Sequence, residues 1–259
     1  MFRQRRRVIL TNRILGPATR AIVACAEAQV PTLVAAGNPG RSIVVVANGV
    51  DTAEFYPDAA EGLRFRRDAG IPGDAVVVAL VAAHRREKRH DRFLRLIERL
   101  DAAGHHVWGL MAGGGPLLDA DRELARRSPC AGRLVVAGPV SDMRAVYGAS
   151  DVVTLTSDDV ETFPLSFLEA QACGTPVVGM DTGGVRETLV PGETGIIVGQ
   201  GDEVAMAGAV ASLVADADRR ALMGAAARDW VESSLSLELM VSRYERVLER
   251  VAAGWRAGR

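Results

Sequence analysis

Between residues 75 and 199 the chain alternates short runs of continuous Val/Ile/Leu character with amphipathic segments. "AVVVALVAA" (75–83), "HVWGLMAG" (106–113), "RLVVAG" (133–138), "DVVTLT" (151–156), "PVVGM" (176–180) and "GIIVG" (195–199) read as strands. "DRFLRLIERLDAAG" (91–104), "PLLDADRELARR" (116–127), "DMRAVYGAS" (142–150) and "PLSFLEAQACG" (164–174) read as helices between them. Strands that lack polar alternation are covered on both faces, so the pattern predicts an α/β fold with a doubly wound parallel sheet over about residues 42–232. Its first short buried strand would be "SIVVVAN" (42–48), followed by a helix over 60–70. Upstream, residues 17–36 read as a helical region interrupted near Pro31. Downstream, helices are expected near 202–215 and 218–232, and 237–255 reads as a long amphipathic helix carrying Leu237, Met240, Val241, Tyr244, Val247, Leu248, Val251 and Trp255.

In doubly wound sheets ligands bind beyond the carboxyl ends of the strands, so the residues that follow each strand are the candidates. After 75–83 comes "HRREKRHD", with Arg85, Arg86 and Lys88 at a strand-to-helix junction. Cations beside a helix start suit a phosphate. After 106–112 comes "GGGP", where Gly113 and Gly115 let backbone approach a ligand and Pro116 fits a first helical turn. The backbone of "GPVSD" (138–142) could carry a base. After 151–156 comes "SDDVETFP", with Glu161 on the loop and Pro164 opening the next helix. Exposed amides of 163–166 would point at an anion there. Glu169 lies five residues past Pro164, about 7–8 Å along the helix axis. It sits among apolar neighbours and so needs a partner, either a basic side chain or ligand hydroxyls. Two carboxylates flanking an anion-binding helix mouth match the shape of a sugar, two phosphates and a ribose. Gly183 and Gly184 can turn toward the same pocket, and Glu187 is either a further polar candidate or a plain surface residue.

Composition narrows the partners. The formal net charge is −1, which gives no general case for nucleic acid. The start, "MFRQRRR", reads as a solvated tail or as a contact with an anionic surface, and no run of about 18 apolar residues suggests a transmembrane segment. The three cysteines (Cys25, Cys130, Cys173) are scattered and read as reduced thiols. The four histidines show no metal-ligand spacing, with His105 and His106 reading as a turn, so no metal and no other cofactor is expected. Of the 31 basic residues only Lys88 is lysine. A nicotinamide-dependent oxidoreductase would need GxGxxG after its first strand, which is missing.

Six segments resemble, in order and register, the C-terminal domain of retaining GT-B glycosyltransferases of the group 1 family, which carries an E-x7-E motif. They are "VVVANGVDTAEFYP", the EK-R-H-D segment, "AGGGP", "VYGASDVVTLTS", "ETFPLSFLEAQACGTPVVGMDTGGVRETL" and "ETGIIV", with residues 8–41 similar to the last helix of the N-terminal domain. The resemblance implies a Rossmann-like domain that binds a UDP- or GDP-type nucleotide sugar and transfers the sugar, hexosyltransferase-like, with retained configuration. Glu161 would stand beside the donor sugar in a positioning and electrostatic role, and Glu169 at the ribose. Arg85 and Lys88 would meet the diphosphate. Residues Phe163, Pro164, Leu165 and Ser166 would frame the phosphate site with the amides near them, and Gly138 and Val140 would lie along the base. Gly113, Gly115, Gly183 and Gly184 would complete the pocket.

This sequence departs from the family in several places. Ala83 stands where an arginine is usual, leaving Arg85 or Arg86 to substitute; Thr162 replaces a glycine; and Ala26 replaces a capping serine. On this reading 1–41 is a remnant of the N-terminal domain, 42–232 is the nucleotide-sugar domain, and 233–259 is a helix that packs on the N-terminal domain. Exposed apolar faces on the outer segments would call for a separate N-terminal partner or self-association. The acceptor is not readable, and a sugar-nucleotide-binding module without transferase activity is the alternative. The expected location is the cytoplasm, in solution or peripheral to a membrane.

Overall fold

The computed structural model describes residues 2–158 and 161–256. In chain order the elements are α1 (Phe2–Leu15), β1 (Ile22–Ala24), α2 (Val30–Ala35), β2 (Ile43–Val45), α3 (Ala59–Asp68), β3 (Val77–Val81), α4 (His90–Ala102), β4 (Trp108–Ala112) and α5 (Leu118–Arg127). They continue with β5 (Leu134–Gly138), α6 (Met143–Gly148), β6 (Val152–Leu155), α7 (Leu165–Ala172), β7 (Val177–Met180), β8 (Gly195–Val198), α8 (Glu203–Val214), α9 (Ala217–Ser234) and α10 (Leu237–Arg256).

The predicted alternation folds as one six-stranded parallel sheet in the order β5-β4-β3-β6-β7-β8. The chain runs outward from β3 to β5, then returns to place β6 against β3, with Val78, Ala79 and Leu80 opposite Val152, Val153 and Thr154. Alternate residues of each strand serve opposite faces. Val78, Leu80, Met111, Val152, Val178 and Met180 share a core with Phe93 and Ile97 of α4, Ala125 of α5 and Met206, Val210 and Leu213 of α8. Val77, Ala79, Leu110, Val153, Leu155 and Val177 face Val146 and Tyr147 of α6 and Phe167 and Ala170 of α7. Burial of each large side chain here stabilises by about 1.5–3 kcal/mol.

A buried arginine ties α3 to the sheet. Arg66 donates to the carbonyls of Ala149, Gly73 and Ala75 and to Asp151, whose carboxylate also accepts from the amide of Val77. Four of the five N–H groups of that guanidinium are answered, close to what a buried charge requires.

The N-terminal region differs from the sequence reading in three ways. Residues 2–15 form α1 rather than a tail. Residues 22–24, expected inside a helix, form β1, which pairs in parallel with β2 through Ile22–Ile43, Val23–Val44 and Ala24–Val45. β2 is therefore not a strand of the main sheet, and it is half-buried rather than buried. A strand this short is set by its distant pairing partner rather than by local propensity. A third core cluster joins this small sheet region to the main domain, with Ala26 and Val50 packed among Phe163, Leu168, Ala172, Val231 and Leu235. α10 follows directly: the Gly49 amide donates to Met240 Sδ, and Val247 is buried. Val8, Leu10, Ile14 and Leu15 of α1 and Val241 and Leu248 of α10 remain exposed, as expected for unpartnered apolar faces. No helix among the described residues is long and apolar enough to cross a membrane.

Candidate active site

The strand order puts a switch point between β3 and β6, where two loops leave neighbouring strand ends in opposite directions. The two loops are laced together. The Asp158 amide donates to the Glu87 carbonyl at 2.9 Å, and the Thr156 hydroxyl donates to the Lys88 carbonyl at 3.1 Å. Across this seam the Lys88 ammonium meets Glu161 Oε1 at 2.5 Å, and the Ser157 hydroxyl donates to the same oxygen. Glu161 is almost fully buried while Lys88 keeps 22% of its side chain exposed, so the ammonium is the member of the pair that reaches open space.

The turn that carries Lys88 ends at Arg89, a non-glycine residue in the left-handed region (φ 53°). That conformation costs about 1 kcal/mol, and ion pairs to Asp91 and Asp158 hold it. Those carboxylates keep the Arg89 guanidinium firmly charged, the Asp91 hydrogen bond first and the Asp158 one next.

Pro164 is the N-cap of α7 rather than its first residue, so the leading helical amides belong to Leu165 and Ser166. Phe163, buried with Leu168 and Ala172, pins the helix entrance. One turn deeper, Glu169 Oε2 accepts from the Tyr147 hydroxyl at 2.6 Å. Burial pushes the Glu169 carboxyl above the usual carboxylate range; the Tyr147 hydrogen bond pulls it down, and the charge of Glu54 pushes it up again. Burial, then the Glu169 charge, raises the Tyr147 hydroxyl well above its ordinary value. The partner expected for Glu169 is thus a neutral donor. Only the "VYG" run marked it, and an isolated buried tyrosine reads as core.

The Phe55 ring meets Tyr147 edge-on, with centroids 6.2 Å apart. Beside it opens a cleft of about 520 Å³ between Glu54–Tyr56 and Ser141–Arg144. Arg144 stacks over Tyr56 at 4.5 Å. Gly138 is buried at the end of β5 and Val140 is half-buried on the way to this cleft. Arg85 and Arg86 are exposed and line a different cleft, of about 520 Å³, together with Arg89, Leu117, Asp121 and Asp158.

The glycines approach backbone. A Cβ on Gly113 would stand 2.1 Å from the Ala82 carbonyl oxygen, and one on Gly115 would stand 2.5 Å from that of His84. The helix after this loop starts at Leu118, two residues later than Pro116 suggests. A Cβ on Gly183 would stand 1.6 Å from the Glu161 carbonyl oxygen and one on Gly184 1.9 Å from that of Thr162, so this pair braces the loop that presents Glu161. Glu187 faces away from the pocket: its carboxylate accepts from the amides of Glu27 and Ala28.

Residues 63–230 match the family model described as Glycosyl transferases group 1. The chain belongs to this family. Among its relatives, the GDP-mannose-dependent alpha-(1-6)-phosphatidylinositol monomannoside mannosyltransferase of Mycolicibacterium smegmatis is 32% identical over 200 residues, which cover 74% of this chain and 52% of that protein. The D-inositol 3-phosphate glycosyltransferase of Stackebrandtia nassauensis is 33% identical over 214 residues, covering 78% of this chain and 47% of that protein. This group 1 chain therefore spans about half the length of these two curated relatives. In fold it is similar to Anabaena Alr3699/HepE in complex with UDP-glucose, with TM-score 0.84 and 19% identity over 96% of this chain and 68% of that one. It is also similar to the C-terminal domain of the group 1 family protein LpcC from Francisella tularensis, with TM-score 0.62 and 22% identity over 73% of this chain and all of that one. The group 1 domain thus has the architecture of the GT-B C-terminal domain.

Proposed function

We propose that this chain is the donor-binding part of a retaining glycosyltransferase that takes a sugar from a nucleoside diphosphate sugar. The observation that carries the reading is the Lys88–Glu161 pair at the switch point, set before the mouth of α7 and in line with Glu169 one turn deeper. The diphosphate would take Lys88 and the leading amides of α7, a point charge and a helix dipole acting on the same group. The ribose hydroxyls would take Glu169. The base would lie along Gly138–Val140 toward the cleft bounded by Tyr56 and Arg144.

Chemically, the site favours the departing diphosphate as negative charge builds on it. Lys88 and Ser157 hold one oxygen of Glu161, which suits it to positioning the sugar and balancing the charge of the oxocarbenium-like state. The acceptor half, on this reading, packs against the exposed faces of α1 and α10, with residues 1–41 belonging to it.

A second reading keeps the donor site without transfer, favoured by the fraction of the relatives' length that this chain spans. Calorimetric titration with GDP-mannose, UDP-glucose and an ADP-sugar, paired with a donor-hydrolysis assay, separates the two. Micromolar binding with slow hydrolysis supports the transferase part. Binding without turnover supports the module. Absence of binding to every nucleotide sugar overturns both.

A further inference from the structure

Three residues that the donor site does not use converge behind the Lys88 turn. His84 follows β3, His90 opens α4 and Asp121 lies on α5. All three are buried, with His84 and His90 at 0% and 2% exposure. One potential ligand atom from each lies within 4.8 Å of the others. His84 Nδ1 is 2.7 Å from Asp121 Oδ2, and His90 Nδ1 is 3.7 Å from the same oxygen. Neither ring nitrogen of His90 has a hydrogen-bond partner among the described residues, nor does His84 Nε2.

We propose that His84, His90 and Asp121 form a buried site for a zinc-class divalent cation. Two imidazoles and a carboxylate are the donor set that zinc and its neighbours prefer. Ligands at about 2.0–2.2 Å around a tetrahedral ion stand roughly 3.3 Å apart, so separations that now reach at most 4.8 Å must change by no more than about 1.5 Å. The imidazoles are stacked, with centroids 4.0 Å apart and planes 20° from parallel. Coordination therefore requires a tilt of the His90 ring away from its approach to the Ala82 backbone, a contact too poorly aligned to be a full hydrogen bond. A buried imidazole nitrogen with no partner is unfavourable, and the cation takes up one of the two on His90. The fourth position opens to the cleft that His90 and Asp121 line with Arg85 and Arg86, where a water or an anion completes the shell. Sequence spacing could not show the site, because its ligands come from three separate elements.

The test uses the 259-residue chain, stripped with a chelator and titrated with Zn²⁺ by calorimetry and with Co²⁺ by visible absorption. The expected result is one equivalent bound, a rise in Tm, and the d–d bands of four- or five-coordinate Co²⁺. His90→Gln and Asp121→Asn should each weaken Zn²⁺ binding by more than about 100-fold, beyond the effect of lost outer-shell partners. Because variants at buried positions can misfold, X-ray absorption on the Zn²⁺-loaded wild type supplies an independent readout, with two imidazoles in the first shell expected. No saturable binding overturns the site. So does a shell that contains sulfur, or binding that survives His90→Gln and is lost with the surface variant His105→Gln/His106→Gln.

Discussion

The Glu187 carboxylate accepts hydrogen bonds from the backbone amides of Glu27, at 2.7 Å, and Ala28, at 2.9 Å, across 160 positions of chain. Ala26 is the N-cap of that turn and offers no side-chain acceptor. The cap that Ala26 cannot give is supplied from a segment distant in sequence. Glu187→Ala should cost about 1 kcal/mol in urea denaturation, the usual worth of a lost cap, and should speed amide exchange at Glu27 and Ala28. Glu187→Gln retains one acceptor oxygen and should recover part of both.

On the proposed reading Lys88→Ala removes a charge-assisted contact to phosphate; it also leaves Glu161 buried beside Ser157 alone. Affinity for a nucleoside diphosphate should fall by about 2 kcal/mol, roughly thirty-fold. Affinity for the matching nucleoside should stay unchanged. An equal loss for both would place Lys88 away from the phosphates.

If Glu169 takes the ribose hydroxyls as proposed, it does so as an acceptor, and the ionised form is the competent one. Its carboxyl is raised by burial. Affinity for the nucleotide should therefore be full above that raised value and fall as pH drops through it, at a higher pH than an ordinary carboxylate would give. Tyr147→Phe removes the hydrogen bond that opposes the rise, so the midpoint should move further up. For folding the sign is the reverse: the charged, buried carboxyl lowers stability as pH rises through the same range, and Tyr147→Phe deepens that loss. Isothermal titration and thermal unfolding at several pH values check both arms, and an unshifted midpoint in Tyr147→Phe counts against the assignment.

Gly183→Ala tests the brace behind Glu161. The residue has a φ of 54°, and its Cβ would overlap the Glu161 carbonyl. The loop must move, so nucleotide-sugar affinity should drop at least ten-fold while free nucleoside binding at the Glu169 end changes little. Stability should fall by about 1–3 kcal/mol from the left-handed strain and the overpacking.

The α/β alternation was readable because each strand is a continuous apolar run and each helix repeats its apolar face, both local properties. β1 was not, because "IVA" sits in an alanine-rich stretch that suits a helix and becomes a strand only by pairing with Ile43–Val45. The site was half readable on similar grounds. Strand order places the loops after β3 and β6 together, so Lys88 and Glu161 could be named as candidates from their positions at strand ends. Their direct pairing spans 73 residues and needed the fold. Tyr147 and Arg144 were passed over since nothing local separates a core tyrosine from one that holds a carboxylate, or a surface arginine from one stacked on Tyr56.

With a single lysine among 31 basic residues, the chain carries one ε-amine, and it sits at the seam between two strand ends. Its ammonium is paired with the Glu161 carboxylate, and 22% of its side chain is exposed. An amine-acylating reagent will thus mark one internal position, Lys88, apart from the chain's own amino terminus. The mass of a single peptide then reports whether a ligand covers Lys88, which makes this protein a self-contained probe of its proposed donor site.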